Sequence, residues 1–461
     1  MSTNFLVSTN PAQGYRTIGQ VAISSESDIK NVVSLARNAS TKWRKISVAE
    51  RVDYIEILYT AFEHKSDLIT KMACSEMGMP IKEQRIYDFE DGLKYFKWYL
   101  QNAVRHLSPE VNFETAGEIH TLYREPFGIT AVLQPWNYPF CSFVWSVIPN
   151  LLSGNTVIFK HSEECPLTGK IIEDIIKETD LPEGVFSEIY GGGDVGELLL
   201  NEEINLISFT GSYKTGKKIY SKASEKLIKV ILELGGSAPG IVFSDVSIDE
   251  VAETIFAQRF SNNGQICDGL KRLIIHQDVS KAIIDKLVEM ISSKVIGDPL
   301  DEETDFGSLV ADRQLELLES QVSDSIDKGA KAVIGGKQPA NLDGAFYEPT
   351  ILTNVTREMR VWNEEVFGPV LPIMTFKTID EAIELGNDTE YGLGGYVFSS
   401  NIDQAEEVAK GLNTGMVSIN GVNYLDPRNP FGGYKHSGIG REHGYFGFHD
   451  LTQVKVIAKN K

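Results

Sequence analysis

The sequence predicts an α/β protein built on two doubly wound parallel-sheet domains, with a small β arm beside them. Three observations carry this. From Ile129 onward, short apolar runs alternate with amphipathic stretches, the pattern of a parallel sheet with helical crossovers on its faces. The alternation restarts after Gly236, so a second sheet follows the first. The length of 461 residues suffices for two or three domains with a sizeable core.

Taken in order, residues 28–43 and 49–77 carry apolar side chains at helical spacing, and 82–107 reads as another long helix. Residues 119–124 alternate polar and apolar as a strand does. Residues 129–133 read as a buried strand, ended by Pro135 and Asn137. Further strands are expected at 156–159, 185–189, 205–209 and 229–233, with helices over 167–179 and from about Thr215. Ligands in such sheets gather at the carboxyl ends of strands. Asn137, Lys160, Gly211 and Glu233 all fall at such ends and should share one rim. After Gly236, strands at 239–243 and 273–276 and helices at 248–260 and 280–293 begin a second α/β domain, and the alternation runs on to Ile419. Residues 452–457 alternate as 119–124 do, and both fit an oligomerising sheet.

Composition narrows the function classes. Hydrophobic residues make up 42% and charged residues 23%, ordinary for a soluble globular chain. A formal net charge of −20 argues against nucleic acid or an anionic membrane as partner. The four cysteines, Cys74, Cys141, Cys165 and Cys267, match no zinc or redox spacing, and no metal site is expected. Residues 1–10 are polar and lack the pattern of a signal peptide, and no apolar run approaches the ~20 residues of a membrane span. A cytoplasmic protein with reduced thiols is the expectation.

Three residues carry candidate chemistry. Cys267 lies in the Gly-led run Gly264-Gln265-Ile266-Cys267-Asp268. A thiolate there would attack a carbonyl carbon and later leave well; a small core cysteine is the plainer alternative. Glu233 ends an apolar run, where burial would raise its pKa toward that of a general base; it could also be a surface carboxylate. Asn137, between Pro135 and Pro139, could donate its amide to an oxyanion or serve its own turn. Together they supply a soft nucleophile, a carboxylate and a neutral donor, the minimum for making and hydrolysing a thioester. Phe209-Thr210-Gly211-Ser212 fits a strand–turn–helix anion site, although it lacks the usual glycine-rich dinucleotide fingerprint.

Seven motifs in series make the chain resemble the aldehyde dehydrogenase superfamily over essentially its whole length. They are Pro135-Trp136-Asn137-Tyr138-Pro139, Lys160-His161-Ser162-Glu163, Phe209-Thr210-Gly211-Ser212, Glu233-Leu234-Gly235-Gly236, Gly264-Gln265-Ile266-Cys267, Glu364-Glu365-Val366-Phe367-Gly368-Pro369 and Pro430-Phe431-Gly432-Gly433. The resemblance implies a Rossmann-like cofactor domain (1–107 and 127–236), a catalytic domain (237–436) and an oligomerisation arm (108–126 and 437–461). It implies Cys267 as nucleophile, Asn137 and the Cys267 N–H as oxyanion hole, and Glu233 as activator of the deacylating water. Lys160 and Glu163 would hold the adenosine ribose, and Gly211 and Ser212 the pyrophosphate. Glu365 would hold the nicotinamide ribose, with Phe367 packing beside it, and Trp136 is counted among the cofactor-binding residues. NAD is the expected cofactor, because Glu163 repels a 2′-phosphate at close range; NADP stays possible. A homodimer or homotetramer is implied.

For the substrate, Tyr138, Trp145 and Phe431 could line an aldehyde tunnel. The resemblance extends to betaine and amino-aldehyde dehydrogenases at Tyr138 and Trp145, where aromatic faces attract a cation; a plain apolar tunnel is the alternative. Asp268 could add negative charge. Succinate semialdehyde dehydrogenases place an arginine where Trp145 stands, so an anionic substrate would need Arg428, with Asp426 poised to neutralise it. Family members that acylate coenzyme A tend to lack the glutamate present here as Glu233. An inactive, crystallin-like role is opposed by the intact set of Cys267, Glu233 and Asn137.

Overall fold

The computed structural model describes residues 4–461; the first three residues of the polar segment 1–10 lie outside it. Its strands form four sheets among the described residues. The first large sheet runs, in spatial order, Gly438–Ile439, Lys229–Glu233, Leu206–Thr210, Ile129–Leu133, Thr156–Lys160 and Phe186–Glu188. All but the Gly438–Ile439 pair are parallel. The second runs Lys331–Ile334, Thr350–Thr353, Val370–Phe376, Leu270–His276, Ala238–Val242, Tyr396–Phe398 and Ser418–Ile419. It is parallel apart from its first edge strand. Strands such as Ile129–Leu133 and Thr156–Lys160 are buried throughout, which is why they read as unbroken apolar runs. The expected α/β class and its two parallel sheets are therefore observed.

The third sheet pairs Thr452–Asn460 antiparallel with Glu118–Pro126, in unbroken register from Thr452 opposite Pro126 to Asn460 opposite Glu118, and Glu110–Glu114 lies along its other side. The two alternating segments thus share one sheet. The fourth, a hairpin of Phe5–Asn10 with Arg16–Ala22, was not expected from sequence.

The helical first part differs from its periodicity in two places. The span 49–77 is two helices, Val48–His64 and Ser66–Met77, broken at Lys65. Ser47 caps the first in a reciprocal capping box with Glu50. The span 82–107 contains a π-helical stretch, Gln84–Glu90, before the α-helix Asp91–Leu107. This irregularity aims Asp88 at the start of the helix Pro139–Ser153, where its buried carboxylate accepts from the N–H groups of Cys141 (2.8 Å) and Phe140 (3.3 Å). Asp88 thereby fixes the turn that presents Asn137. No helix among the described residues is long and apolar enough to cross a membrane.

Candidate active site

A cavity of about 670 Å³ opens beyond the carboxyl ends of the first sheet's strands. Its wall brings together nine residues singled out in the sequence: Trp136, Asn137, Lys160, Glu163, Gly211, Ser212, Cys267, Glu365 and Phe367. They come from five loops up to 231 positions apart (Trp136 to Phe367).

The loop that carries Cys267 is held from several directions. Arg259, fully buried, donates to the carbonyls of Val370 (2.9 Å), Gly368 and Gly264, lashing the loop to the segment that carries Glu365 and Phe367. Asn262 and Asn263 take left-handed backbone (φ 48° and 52°), a conformation asparagine tolerates better than most residues. The Asn262 N–H donates to Glu83 at 2.6 Å, and burial pushes that carboxylate up to about 7. Asn137 Nδ2 donates one hydrogen to the Gln265 carbonyl at 3.0 Å, which leaves its second for a ligand. The Cys267 N–H has no backbone acceptor among the described residues. Two donors thus stand beside one half-buried thiol.

Cys267 is the least buried of four free cysteines; Cys74, Cys141 and Cys165 are buried. Desolvation holds its thiol well above the ordinary value, Asp268 adds to this, and Lys271 opposes it.

Glu233 lies off the cavity wall. Its carboxylate is buried and points at Gly432, where a Cβ would come within 2.7 Å of Oε1. Neither oxygen has a hydrogen-bond partner among the described residues. Desolvation, with repulsion from Glu442, holds it well above the usual carboxylate range, against the pull of Arg441. A carboxylate so placed takes a proton readily.

The rest of the cavity fits a dinucleotide. Lys160 Nζ stands 3.8 Å from Glu163 Oε2 at one end. Ser212 caps the helix Tyr213–Glu225 by accepting from the Thr215 N–H, so a helix N-terminus faces the cavity. At the other end Glu365 Oε1 accepts from the Gly236 N–H at 2.9 Å, and any Cβ on Gly235 would overlap that carboxylate. Trp136 and Phe367 meet edge to face at 5.5 Å. His161 lies behind this wall in a buried pair with Glu188 at 2.6 Å.

The five proposed tunnel residues lie outside the large cavity. Tyr138 and Trp145 are half-buried, at the cap and in the body of the helix Pro139–Ser153. Trp145 packs on Phe431 (5.6 Å) and His443 (4.5 Å), and Cys267 packs against the Phe431 cluster from the other side. Asp268 accepts from the Tyr424 hydroxyl at 3.0 Å and has Oδ1 3.8 Å from Cys267 Sγ. Of the two readings set out for Arg428, the structure shows its pairing with Asp426. Its side chain is 75% exposed, and both edges of its fork are taken by Asp426 at 2.7 and 2.8 Å. That pairing holds Asp426 down to about 2.

Sequence reasoning missed Lys271, Glu83 and Arg259. Lys271 and Arg272 are the second and third residues of the strand Leu270–His276, adjacent cations that are almost fully buried. Two charges opening an apolar strand was the available signal. Glu83 and Arg259 act on the loop through backbone groups and left no local pattern.

Fold and site define a two-sheet α/β enzyme in which the thiol of Cys267 borders a cavity of about 670 Å³ at the strand ends. The chain belongs to the aldehyde dehydrogenase family, whose model matches residues 2–457. It is 36% identical to the peroxisomal aminoaldehyde dehydrogenase 1 of Pisum sativum over 454 residues, covering 96% of this chain and 90% of that one. It is 36% identical to betaine aldehyde dehydrogenase 1 of Oryza sativa, covering 98% and 91%. A crystal structure of betaine aldehyde dehydrogenase from Staphylococcus aureus in complex with NAD+ superposes with a TM-score of 0.94 at 29% identity, covering 99% and 91%.

Proposed function

We propose that this protein oxidises an aldehyde to its carboxylic acid, with NAD as cofactor and a neutral or amino aldehyde as substrate. The observation that carries the reading is the shared wall: Cys267 and Asn137 border the same cavity as Lys160, Glu163 and Glu365. Cys267 Sγ adds to the aldehyde carbon. The second Asn137 amide hydrogen and the Cys267 N–H hold the oxyanion. A bound nicotinamide cofactor supplies the hydride acceptor. Collapse of the oxyanion re-forms the carbonyl as the C–H bond breaks and the hydrogen leaves with its electron pair to that acceptor, so an acyl thioester stays on Cys267. Glu233 turns from Gly432, where no hydrogen bond among the described residues holds it, and takes a proton from the attacking water. The acid departs and the thiol is restored.

Lys160, Glu163, Ser212 and Glu365 are the residues that would bind the cofactor. Glu163 can accept from two ribose hydroxyls but repels a 2′-phosphate. The expected outcome is a higher kcat/KM with NAD than with NADP, measured side by side; a preference for NADP refutes this assignment.

Three features support the substrate class. Arg428 is exposed and already paired, so it does not offer a cation to a substrate carboxylate. The carboxyl of Asp268 stands beside Cys267. Tyr138, Trp145 and Phe431 present aromatic faces, and the pea and rice relatives bear aminoaldehyde and betaine aldehyde names. Initial rates with 4-aminobutanal, pentanal and succinate semialdehyde test this. The cationic or neutral aldehyde should win by at least about tenfold, ~1.4 kcal/mol in the transition state. An equal margin for succinate semialdehyde, lost in Arg428→Ala, would restore the anionic reading.

The sheet of Glu110–Glu114, Glu118–Pro126 and Thr452–Asn460 leaves Val111, Phe113, Val454 and Val456 exposed, which supports its use in a homodimer or homotetramer. The four free thiols support a reducing, cytoplasmic setting.

A further inference from the structure

Lys271 is almost fully buried, yet its ammonium is surrounded by the working parts of the site. It donates to the carbonyl of Gly236 at 2.9 Å, to the carbonyl of Cys267 at 3.2 Å and to Glu365 Oε1, and it lies 4.9 Å over the Phe367 ring. Three donors on one ammonium therefore meet the nucleophile's own carbonyl, the Gly235-Gly236 turn and the ribose-binding carboxylate. We propose that Lys271 is a positioning residue with two outputs: it fixes Glu365 for the cofactor, and it supplies the positive charge that favours the Cys267 thiolate. The second half rests on Cys267 being the nucleophile of the proposed reaction. The charged groups acting on the Cys267 thiol are Asp268, Glu365 and Glu233, which disfavour the thiolate, and Lys271, which favours it. Burial lowers the Lys271 ammonium from its ordinary value; Glu365 and Cys267 oppose that loss of charge, and Arg259 adds to it. Because Glu365 partly cancels the ammonium, the two residues should act on the thiol with opposite signs.

The test is the pH profile of iodoacetamide alkylation at Cys267, read by peptide mass spectrometry in the full-length protein without aldehyde or cofactor. The midpoint of the profile reports the thiolate and is insensitive to changes in access. Lys271→Met should move the midpoint to higher pH, making alkylation at pH 7.5 about tenfold slower if the shift is near one pKa unit. Lys271→Arg should keep it near the wild-type value. Glu365→Gln, which leaves the lysine in place, should move it to lower pH. Calorimetric titration with NAD should show weaker binding to Lys271→Met than to the wild type, because Glu365 is no longer held. Equal midpoints for all four proteins, or shifts of the same sign in Lys271→Met and Glu365→Gln, would overturn the proposal; if Lys271→Met does not fold, Lys271→Gln, neutral but still able to hydrogen-bond, takes its place and is judged by the same upward shift. Failure of aldehyde oxidation itself would leave these readouts intact, so the two readings fail separately.

Discussion

Replacing Cys267 with serine is expected to lower kcat/KM for aldehyde oxidation by at least about 10³-fold while leaving cofactor binding unchanged. The expectation follows from placement. Of the four thiols, only Cys267 borders the cavity, and two N–H donors stand beside it. A serine hydroxyl in the same loop keeps the hydrogen bonds of Arg259 and Asn137, which go to backbone carbonyls. It loses the acidity and leaving ability of sulfur. Steady-state rates with pentanal, alongside a calorimetric NAD titration, separate the two effects. Retention of wild-type turnover would remove Cys267 from the chemistry.

Replacing Glu233 with glutamine is expected to leave acylation in place and slow deacylation by about 10²- to 10⁴-fold, the usual worth of a general base. The first turnover should then appear as a burst of reduced cofactor equal to the enzyme present, followed by a slow steady state. The wild-type pH dependence has a defined sign. Glu233 must be deprotonated to accept a proton from water, and burial raises its pKa well above the usual carboxylate range. Deacylation should therefore rise with pH across a range where an ordinary glutamate is already ionised, and Glu233→Gln should flatten that limb. Stopped-flow measurement of the burst at several pH values checks both features. Wild-type steady-state turnover in Glu233→Gln would assign the water to another base.

The rim of the cavity was legible in the sequence because parallel strands end in loops on one side of a sheet. Asn137, Lys160 and Gly211 could be placed there from strand ends alone, and all three border the cavity. What periodicity could not give was the direction of a side chain once its strand was placed. Glu233 ends its strand as expected, yet its carboxylate faces Gly432, in the segment that leads to the pair Gly438–Ile439, which returns beside that strand with Gly438 opposite Glu233, 205 positions away in sequence. Breaks within apolar patterns were equally hidden: the spacing across Lys65 stays helical, and a π-helical stretch leaves no distinct mark among residues 84–90. Lys271 escaped because the strand reading began at Leu273, past the two cations that open it. Their burial depends on tertiary partners, Glu365 for Lys271 and the carbonyls of Ser237, Leu385 and Gly386 for Arg272. Arg428 shows the reverse. Its charge suggested a ligand, its neighbour Asp426 suggested neutralisation, and both could be read because the two lie two residues apart; the pair forms.

Thioester chemistry on Cys267 is tested most directly by mass spectrometry of Glu233→Gln quenched after mixing with pentanal and NAD. An acyl adduct on the peptide containing Cys267, formed only when both aldehyde and cofactor are present and absent from Cys267→Ser, is the predicted result. An unmodified Cys267 peptide from a variant that still reduces NAD with pentanal would contradict a covalent route through this cysteine.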